Sequence, residues 1–184
     1  TEFIKAVKGA NESTAMASSG SGSIPHLALV QLEQSTGAKF LHVPYKGMAP
    51  AFTDLMGGQV AAYSTVLGSY LPHLKSGRLR LLAVSGTERS SFAPDLPTYR
   101  EQGFALDMTE WFGVFVPART PAATVQRVTD AVRAAVAQPD FVRGLAEFGM
   151  TARSSTPQEL ATRLRAEAEQ WRVHVKNIGF TADT

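Results

Sequence analysis

The sequence predicts an α/β protein built on a parallel sheet. In the first part of the chain, short segments rich in β-forming residues alternate with segments of helical periodicity. Residues 80–84 form a nearly continuous apolar run, which is typical of a parallel strand covered on both faces. Strand–helix alternation at this spacing favours crossover connections, and these make neighbouring strands run in the same direction.

Glycine and proline mark the element boundaries in residues 1–108. Gly37 is expected to terminate a helix, Pro44 to terminate a strand, and Gly57 with Gly58 to terminate a second helix. The predicted helices cover residues 2–8, 27–36, 49–56 and 67–75, and the predicted strands cover residues 14–17, 39–43, 59–65 and 80–84. Because this inventory provides a sheet and its covering helices, we expect residues 1–108 to form a self-sufficient lobe.

Residues 109–184 have a different inventory. Residues 111–116 are predicted to form one apolar strand, and three helices follow it. The helix starts are marked by Thr120 with Pro121, by Pro139, and by a capping box of Thr156 with Glu159. One strand is too little sheet for three amphipathic helices, so we expect this part to be an incomplete domain.

Composition excludes several classes of protein. The chain has 184 residues, of which 44% are hydrophobic, so it is not intrinsically disordered over most of its length. No apolar stretch approaches the roughly 18 residues of a transmembrane helix. There are no cysteines, which excludes disulfides and zinc–thiolate sites. The net charge of +2 divides evenly along the chain without a basic cluster, so we expect no nucleic-acid partner.

A tract of serine and glycine joins the first predicted strand to the next helix. Ser23 is the predicted N-cap, and Pro25 is tolerated in the first helical turn. Glycine lets backbone N–H groups converge, and a helix N-terminus carries about half a positive charge, so the tract suits a carboxylate or phosphate. A flexible polar turn with a good helix cap explains the pattern equally well. The tract consists of Ser18, Ser19, Gly20, Ser21, Gly22 and Ser23.

The tract matches no catalytic or nucleotide-binding motif. It lacks the spacing of a nucleophile elbow, no Gly-Lys-Ser/Thr follows it, and Pro25 stands where a dinucleotide fingerprint has its third glycine. The histidines are scattered without metal-ligand spacing, so a structural role is the more common explanation for each. We therefore expect no catalytic residue, no metal and no cofactor. The four histidines are His26, His42, His73 and His174.

A second candidate segment follows the strand at residues 39–43. Tyr45, Lys46 and Gly47 join this strand to the next helix, so they are expected at the carboxyl edge of the sheet, where ligands of open α/β sheets gather. Lys46 can face an anion, and Tyr45 offers a ring and a hydroxyl. An exposed turn lysine beside a packed tyrosine is the alternative interpretation.

Taken together, these motifs resemble one known family. The sequence contains SSGSGS at residues 18–23 followed by HL at 26–27, VPYKG at 43–47, DLMGGQV at 54–60, PDLPT at 94–98 and WFG at 111–113. In this order they resemble the TctC/Bug family, the extracytoplasmic solute receptors of tripartite tricarboxylate transporters. The resemblance covers essentially the whole chain.

The resemblance implies a periplasmic-binding-protein type II-like fold in which two α/β lobes close on a small organic anion. It implies that residues 1–108 are the second lobe and are complete, whereas residues 109–184 are the C-terminal part of a first lobe whose N-terminal part, with its signal peptide, is missing here. It further implies a periplasmic receptor without catalysis. The implied partners are a di- or tricarboxylate or aromatic acid and the membrane subunits of the transporter.

The resemblance also implies which residues face the ligand. They are the six residues of the tract together with His26, Tyr45, Lys46, Gly47 and Ser64. Two positions depart from many relatives: Ala61 replaces an aspartate, and Ser64 stands where an acidic or amide residue is common. Without a carboxylate there, binding of an amino acid's ammonium group is less expected.

The sequence is also compatible with two other classes of function. One is an α/β enzyme or regulator that uses an anion site, and the other is a truncated interaction module with no role in transport. Because the apolar faces of residues 109–184 lack a sheet to cover, we also expect this segment to be displaced or to form a homodimer.

Overall fold

A three-stranded parallel sheet organises the N-terminal part of the protein. The computed structural model describes residues 2–10, 14–177 and 181. The strands are β1 (Thr14–Ser18), β2 (Phe40–Pro44) and β3 (Ala62–Ser64), arranged in the order β2-β1-β3 with both pairs parallel. The predicted α/β class with a parallel sheet is confirmed.

Six α-helices accompany the sheet within the described residues. They are α1 (Glu2–Gly9), α2 (Ile24–Thr36), α3 (Met48–Met56), α4 (Ala122–Val136), α5 (Pro139–Glu147) and α6 (Pro157–Asn177). None of these described helices combines the length and the apolar character needed to cross a bilayer.

Helix α2 begins and ends as its sequence predicts. Ser23 is the N-cap in an extended conformation, and its hydroxyl accepts the N–H of His26. Gly37 takes the left-handed conformation, with φ of 69°, and donates its N–H to the carbonyl of Glu33 at 2.7 Å. Leu27, Leu29 and Leu32 are buried, so α2 is packed into this part of the protein.

The core lies between the sheet and α3. Ala17, the penultimate residue of β1, is fully buried and packs in one cluster with Ala51 and Phe52 of α3 and with Tyr63 of β3. The ring of Phe52 meets the ring of Tyr63 edge-on at 5.6 Å between centroids. This packing holds the three strand ends in register.

Two predicted elements before residue 80 differ in the structure. The strand predicted at 59–65 is reduced to β3, because the N–H of Gln59 bonds back to the carbonyl of Asp54 at the end of α3. The helix predicted at 67–75 is instead two 3-10 helices, Leu67–Ser69 and Leu71–Ser76. Pro72 has no N–H to continue an α-helical ladder, which accounts for the interruption.

The strand predicted at residues 80–84 is wrong. Val84 makes a single parallel bridge with Thr98, and Leu82 is 39% exposed, so this segment is not covered on both faces. Its apolar residues line a loop region held by backbone bonds between Val84 and both Pro97 and Tyr99.

The strand predicted at residues 111–116 is also wrong. The segment forms no strand, and Phe112 and Phe115 are 74% and 62% exposed. Trp111 is held instead by α6: its indole N–H donates to the carboxylate of Glu167, and the guanidinium of Arg163 lies 5.0 Å from the ring centroid. An apolar run does not form a ladder without a neighbouring strand.

Contacts divide the chain into two compact units. The first comprises residues 1–110 and 175–184, and the second comprises residues 111–174. The first unit contains the sheet and every buried side chain of the described residues. In the second, no described side chain is buried, although α4 and α5 contact each other.

Candidate ligand-binding site

The carboxyl ends of the three strands form one row. Ser18, the last residue of β1, is in register with Pro44 of β2 on one side and with Ser64 of β3 on the other. The tract and the turn at residues 45–47 leave the sheet from this row. Ligands of open parallel sheets bind at this carboxyl edge. The tract and the turn, which the sequence suggested as anion-binding segments, therefore both begin at the edge where a ligand is expected.

The tract adopts a backbone conformation that requires glycine. Gly20 and Gly22 have φ angles of 122° and 73°, which side-chain-bearing residues rarely adopt. Ser23 closes the tract onto α2: its hydroxyl donates to the carbonyl of Gly20 at 2.7 Å and accepts the N–H of His26 at 3.4 Å. The predicted strand–tract–helix order is therefore present, with the tract at the N-terminus of α2.

The N–H groups of the tract make internal hydrogen bonds. Gly22 donates its N–H to Nδ1 of His26 at 3.0 Å, Ser23 donates to the carbonyl of Gly20 at 3.3 Å, and Gly20 donates to the hydroxyl of Ser18 at 3.3 Å. An anion that binds here through Gly22 must therefore replace His26 as the acceptor.

Two histidines lie at the centre of the site. The imidazole of His26 in α2 stacks on that of His42 in β2, with 3.7 Å between centroids and 6° between the planes. Nε2 of His42 lies 2.7 Å from the hydroxyl of the fully buried Ser18. Burial, and secondarily the neighbouring His26, lower the pKa of His42 to about 4. Burial also lowers the pKa of His26, although the carboxylate of Glu33 opposes this.

The turn after β2 uses its three residues differently. Tyr45 donates its backbone N–H to the carbonyl of Ser18 at 3.0 Å and its hydroxyl to Asp54 at 2.6 Å. The bond to Asp54 raises the pKa of the Tyr45 phenol. Lys46 is exposed, and Gly47, with φ of 133°, precedes α3. Tyr45 is thus a packed and doubly bonded residue, while Lys46 is accessible to an anion.

Ser19 connects the tract to the strand on the other side. Its hydroxyl lies 2.8 Å from that of Thr65 and 3.2 Å from that of Tyr63. Ser64, between these two residues, is half-buried at the end of β3. Ser21 and Gly22 are exposed, so they form the solvent face of the tract.

Sequence reasoning missed His42, Tyr63 and Thr65 as neighbours of the tract. His42 precedes Pro44 by two residues, so both side chains lie on the same face of β2. That alternation was a signal for placing His42 on the face of Ser18. The stacking on His26 needed the position of α2 over the sheet, which no spacing in the sequence specifies.

The Ser18–His42 pair resembles a nucleophile and base but is poorly suited to catalysis. Ser18 is 0% exposed, so a substrate cannot reach its hydroxyl. His42 is stacked on a second imidazole, and its pKa of about 4 makes it a weak base at neutral pH.

Within the described residues, no group of three or more His, Cys, Asp or Glu side chains is arranged to hold a metal ion.

Comparisons with known proteins show the family of the chain. Residues 1–180 match the sequence model of TctC, described as the tripartite tricarboxylate transporter family receptor. The chain belongs to the TctC family. A relative from Pseudomonas sp. strain P51, named UPF0065 protein in the tcbD-tcbE intergenic region, is 32% identical over 173 residues, which are 93% of this chain and 52% of the relative.

Solved structures show the same fold. Rpa4515 of R. palustris, solved with adipate, has a TM-score of 0.84 and 27% identity, and the match covers 97% of this chain and 60% of that one. MatC of Rhodopseudomonas palustris, solved with bound malate, has a TM-score of 0.77 and 27% identity over 95% of this chain and 60% of that one. The chain thus spans about 60% of the length of these two proteins. The periplasmic binding protein BugD has a TM-score of 0.82 and 28% identity over 97% of this chain and 60% of that one, so the partial periplasmic-binding-protein fold expected from the sequence is confirmed.

Proposed function

We propose that this chain is part of a periplasmic receptor that captures a small organic carboxylate for a tripartite tricarboxylate transporter. The observation that carries the proposal is the tract: it lies at the N-terminus of α2, in the row where three parallel strands end. Membership of the TctC family and the adipate and malate bound by two structural relatives support a di- or tricarboxylate as the ligand. An aromatic acid is the other ligand class that the sequence resemblance implies.

In this proposal residues 1–108 act as the ligand-binding second lobe, and residues 109–184 belong to the first lobe. The ligand is lined by Ser19, Gly20, Ser21, Gly22, Ser23, His26, Tyr45, Lys46, Gly47 and Ser64. Ser18, which the sequence also suggested as a ligand contact, is fully buried and contacts His42 instead. The membrane subunits of the transporter are the macromolecular partner. We expect no catalysis, because Ser18 is buried and His42 is a weak base.

Isothermal titration calorimetry of the intact receptor with adipate, malate and aspartate tests the proposal. We expect the two non-amino dicarboxylates to bind more tightly than aspartate, because Ala61 and Ser64 offer no carboxylate to an ammonium group. Tightest binding to aspartate would contradict this ligand class, and binding of none of the three would contradict the carboxylate proposal.

A matched pair of lysine variants tests the position of the ligand. Lys46→Gln should weaken dicarboxylate binding by about tenfold or more, since a charge-assisted hydrogen bond is lost. Lys39→Gln is the control, because Lys39 precedes the opposite end of β2. Equal affinities of the two variants would place the ligand away from the turn at residues 45–47.

A further inference from the structure

His26 is bonded to the N–H group that an anion at the tract would use. Its Nδ1 accepts the N–H of Gly22 at 3.0 Å, and its own backbone N–H is held by the N-cap hydroxyl of Ser23. Because Nδ1 is an acceptor, it carries no proton, and the imidazole is neutral. A carboxylate oxygen that accepts the Gly22 N–H takes the place of Nδ1.

We propose that a ligand carboxylate displaces Nδ1 of His26 from the Gly22 N–H, and that Nδ1 then takes up a proton from solvent. The resulting imidazolium keeps this proton and donates a hydrogen bond to the same carboxylate. This inference rests on the proposed function and assigns His26 as the ligand-binding residue that couples binding to proton uptake. The imidazolium formed in this way pairs with the ligand through a charge-assisted hydrogen bond, stronger than the neutral bond that was broken.

The stacked pair limits the uptake to one proton. At 3.7 Å between centroids, two imidazolium cations repel each other strongly, so only one ring of the His26–His42 pair is charged at a time. His42 is held by the hydroxyl of Ser18 in β1, 2.7 Å from its Nε2. Glu33, on the same helix as His26, favours the cation on His26. The proton is therefore expected on His26 and not on His42.

The direction of the pH effect follows from linkage. Burial lowers the pKa of both rings, so the pair is neutral near pH 7 until a carboxylate arrives. A bound carboxylate raises the pKa of His26, because an opposite charge at hydrogen-bond distance stabilises the cation. His26 therefore has a lower pKa in the free protein and a higher pKa in the complex. Between these two values the affinity should rise as the pH falls, by at most about tenfold per pH unit for one proton.

Calorimetry in several buffers measures the proton uptake that accompanies ligand binding. Wild-type protein is titrated with adipate and malate near pH 7 in buffers of different ionisation enthalpy. The slope of the observed binding enthalpy against the ionisation enthalpy of the buffer gives the number of protons taken up. We expect an uptake between about one half and one proton per ligand, and an affinity that declines from about pH 6 to pH 8. Over this range the ligand carboxylates stay ionised.

A variant pair assigns the proton to His26. His26→Asn keeps an oxygen that can accept the Gly22 N–H but does not titrate, so proton uptake and the pH dependence of affinity should disappear. His73→Asn is the control, because the ring of His73 lies against Phe52, 4.8 Å between centroids, and should behave as wild type.

The outcomes separate this inference from the proposed function. Binding of adipate or malate to wild type without proton uptake overturns the inference and leaves the carboxylate receptor standing. Uptake that is unchanged in His26→Asn also overturns it, because another group then takes the proton. Absence of binding by any carboxylate overturns both.

Discussion

Gly20 shows how much of the site depends on single backbone positions. Its φ of 122° turns the chain from β1 into the tract, and a Cβ added there would meet no atom within 4 Å. Any cost of a substitution is therefore one of backbone conformation and not of crowding.

Replacement of Gly20 tests this argument. Gly20→Ala should lower the free energy of unfolding by about 1–3 kcal/mol and weaken dicarboxylate binding, because alanine rarely adopts this φ. Gly144→Ala is the matched control: Gly144 lies inside α5, also has open space, and should gain about 0.5–1 kcal/mol from helix propensity. Chemical denaturation of both variants measures the difference, and equal stabilities would show that Gly20 is not strained.

At the scale of elements, local capping signals predicted the helices well. The start of α6 carries the expected capping box: the Thr156 hydroxyl accepts the N–H of Glu159 at 3.2 Å, and the Glu159 carboxylate accepts the N–H of Thr156 at 2.7 Å. α4 is the exception, because it begins at Ala122 and Pro121 takes the N-cap position expected for Thr120. The two apolar segments at 80–84 and 111–116 failed as strands because strand formation needs a partner elsewhere in the chain.

Removal of the capping box should destabilise α6. Thr156→Ala is expected to cost about 1 kcal/mol, seen as reduced helical signal and a lower melting temperature by circular dichroism. The backbone N–H of Thr156 lowers the pKa of Glu159, so the contribution of the cap is complete above the ordinary glutamate pKa and is lost as the pH falls through the lowered one. Thr162→Ala, at an exposed position inside α6, should not destabilise the helix. A melting temperature that falls equally in both variants would contradict the role of the cap.

At the scale of the whole molecule, the unit of residues 111–174 differs from the other unit because it buries no described side chain. Phe112, Phe115 and Phe148 are each more than 60% exposed, and the first two lie in one extended segment. Exposed aromatic side chains at this density are typical of an interaction surface.

We expect the 184-residue chain to self-associate through residues 111–116. Light scattering after size-exclusion chromatography should give a mass above the 19.7 kDa of one chain. Phe112→Ser with Phe115→Ser should lower that mass, whereas Leu41→Ser, a change at an exposed leucine of β2, should not. A monomer at all concentrations would contradict this expectation.

The sequence by itself determined the α/β class, the position of the tract between β1 and α2, and the stops at Gly37 and Pro44. These features depend on neighbours in the chain: an N-cap serine, glycines with positive φ and a proline act within a few residues of their own position. The family, too, was recognisable from short motifs in a fixed order, and residues 1–180 match it.

Only the tertiary structure decided which polar groups of the site meet. The stacking of His26 on His42, the contact of His42 with Ser18 and the acceptance of the Gly22 N–H by His26 join residues of α2, β1 and β2. Likewise, the apolar run at 80–84 reads as a strand, but only one of its residues finds a bridge partner. Pairing between segments distant in sequence depends on how helices pack over the sheet, and no local pattern of residue types specifies that packing.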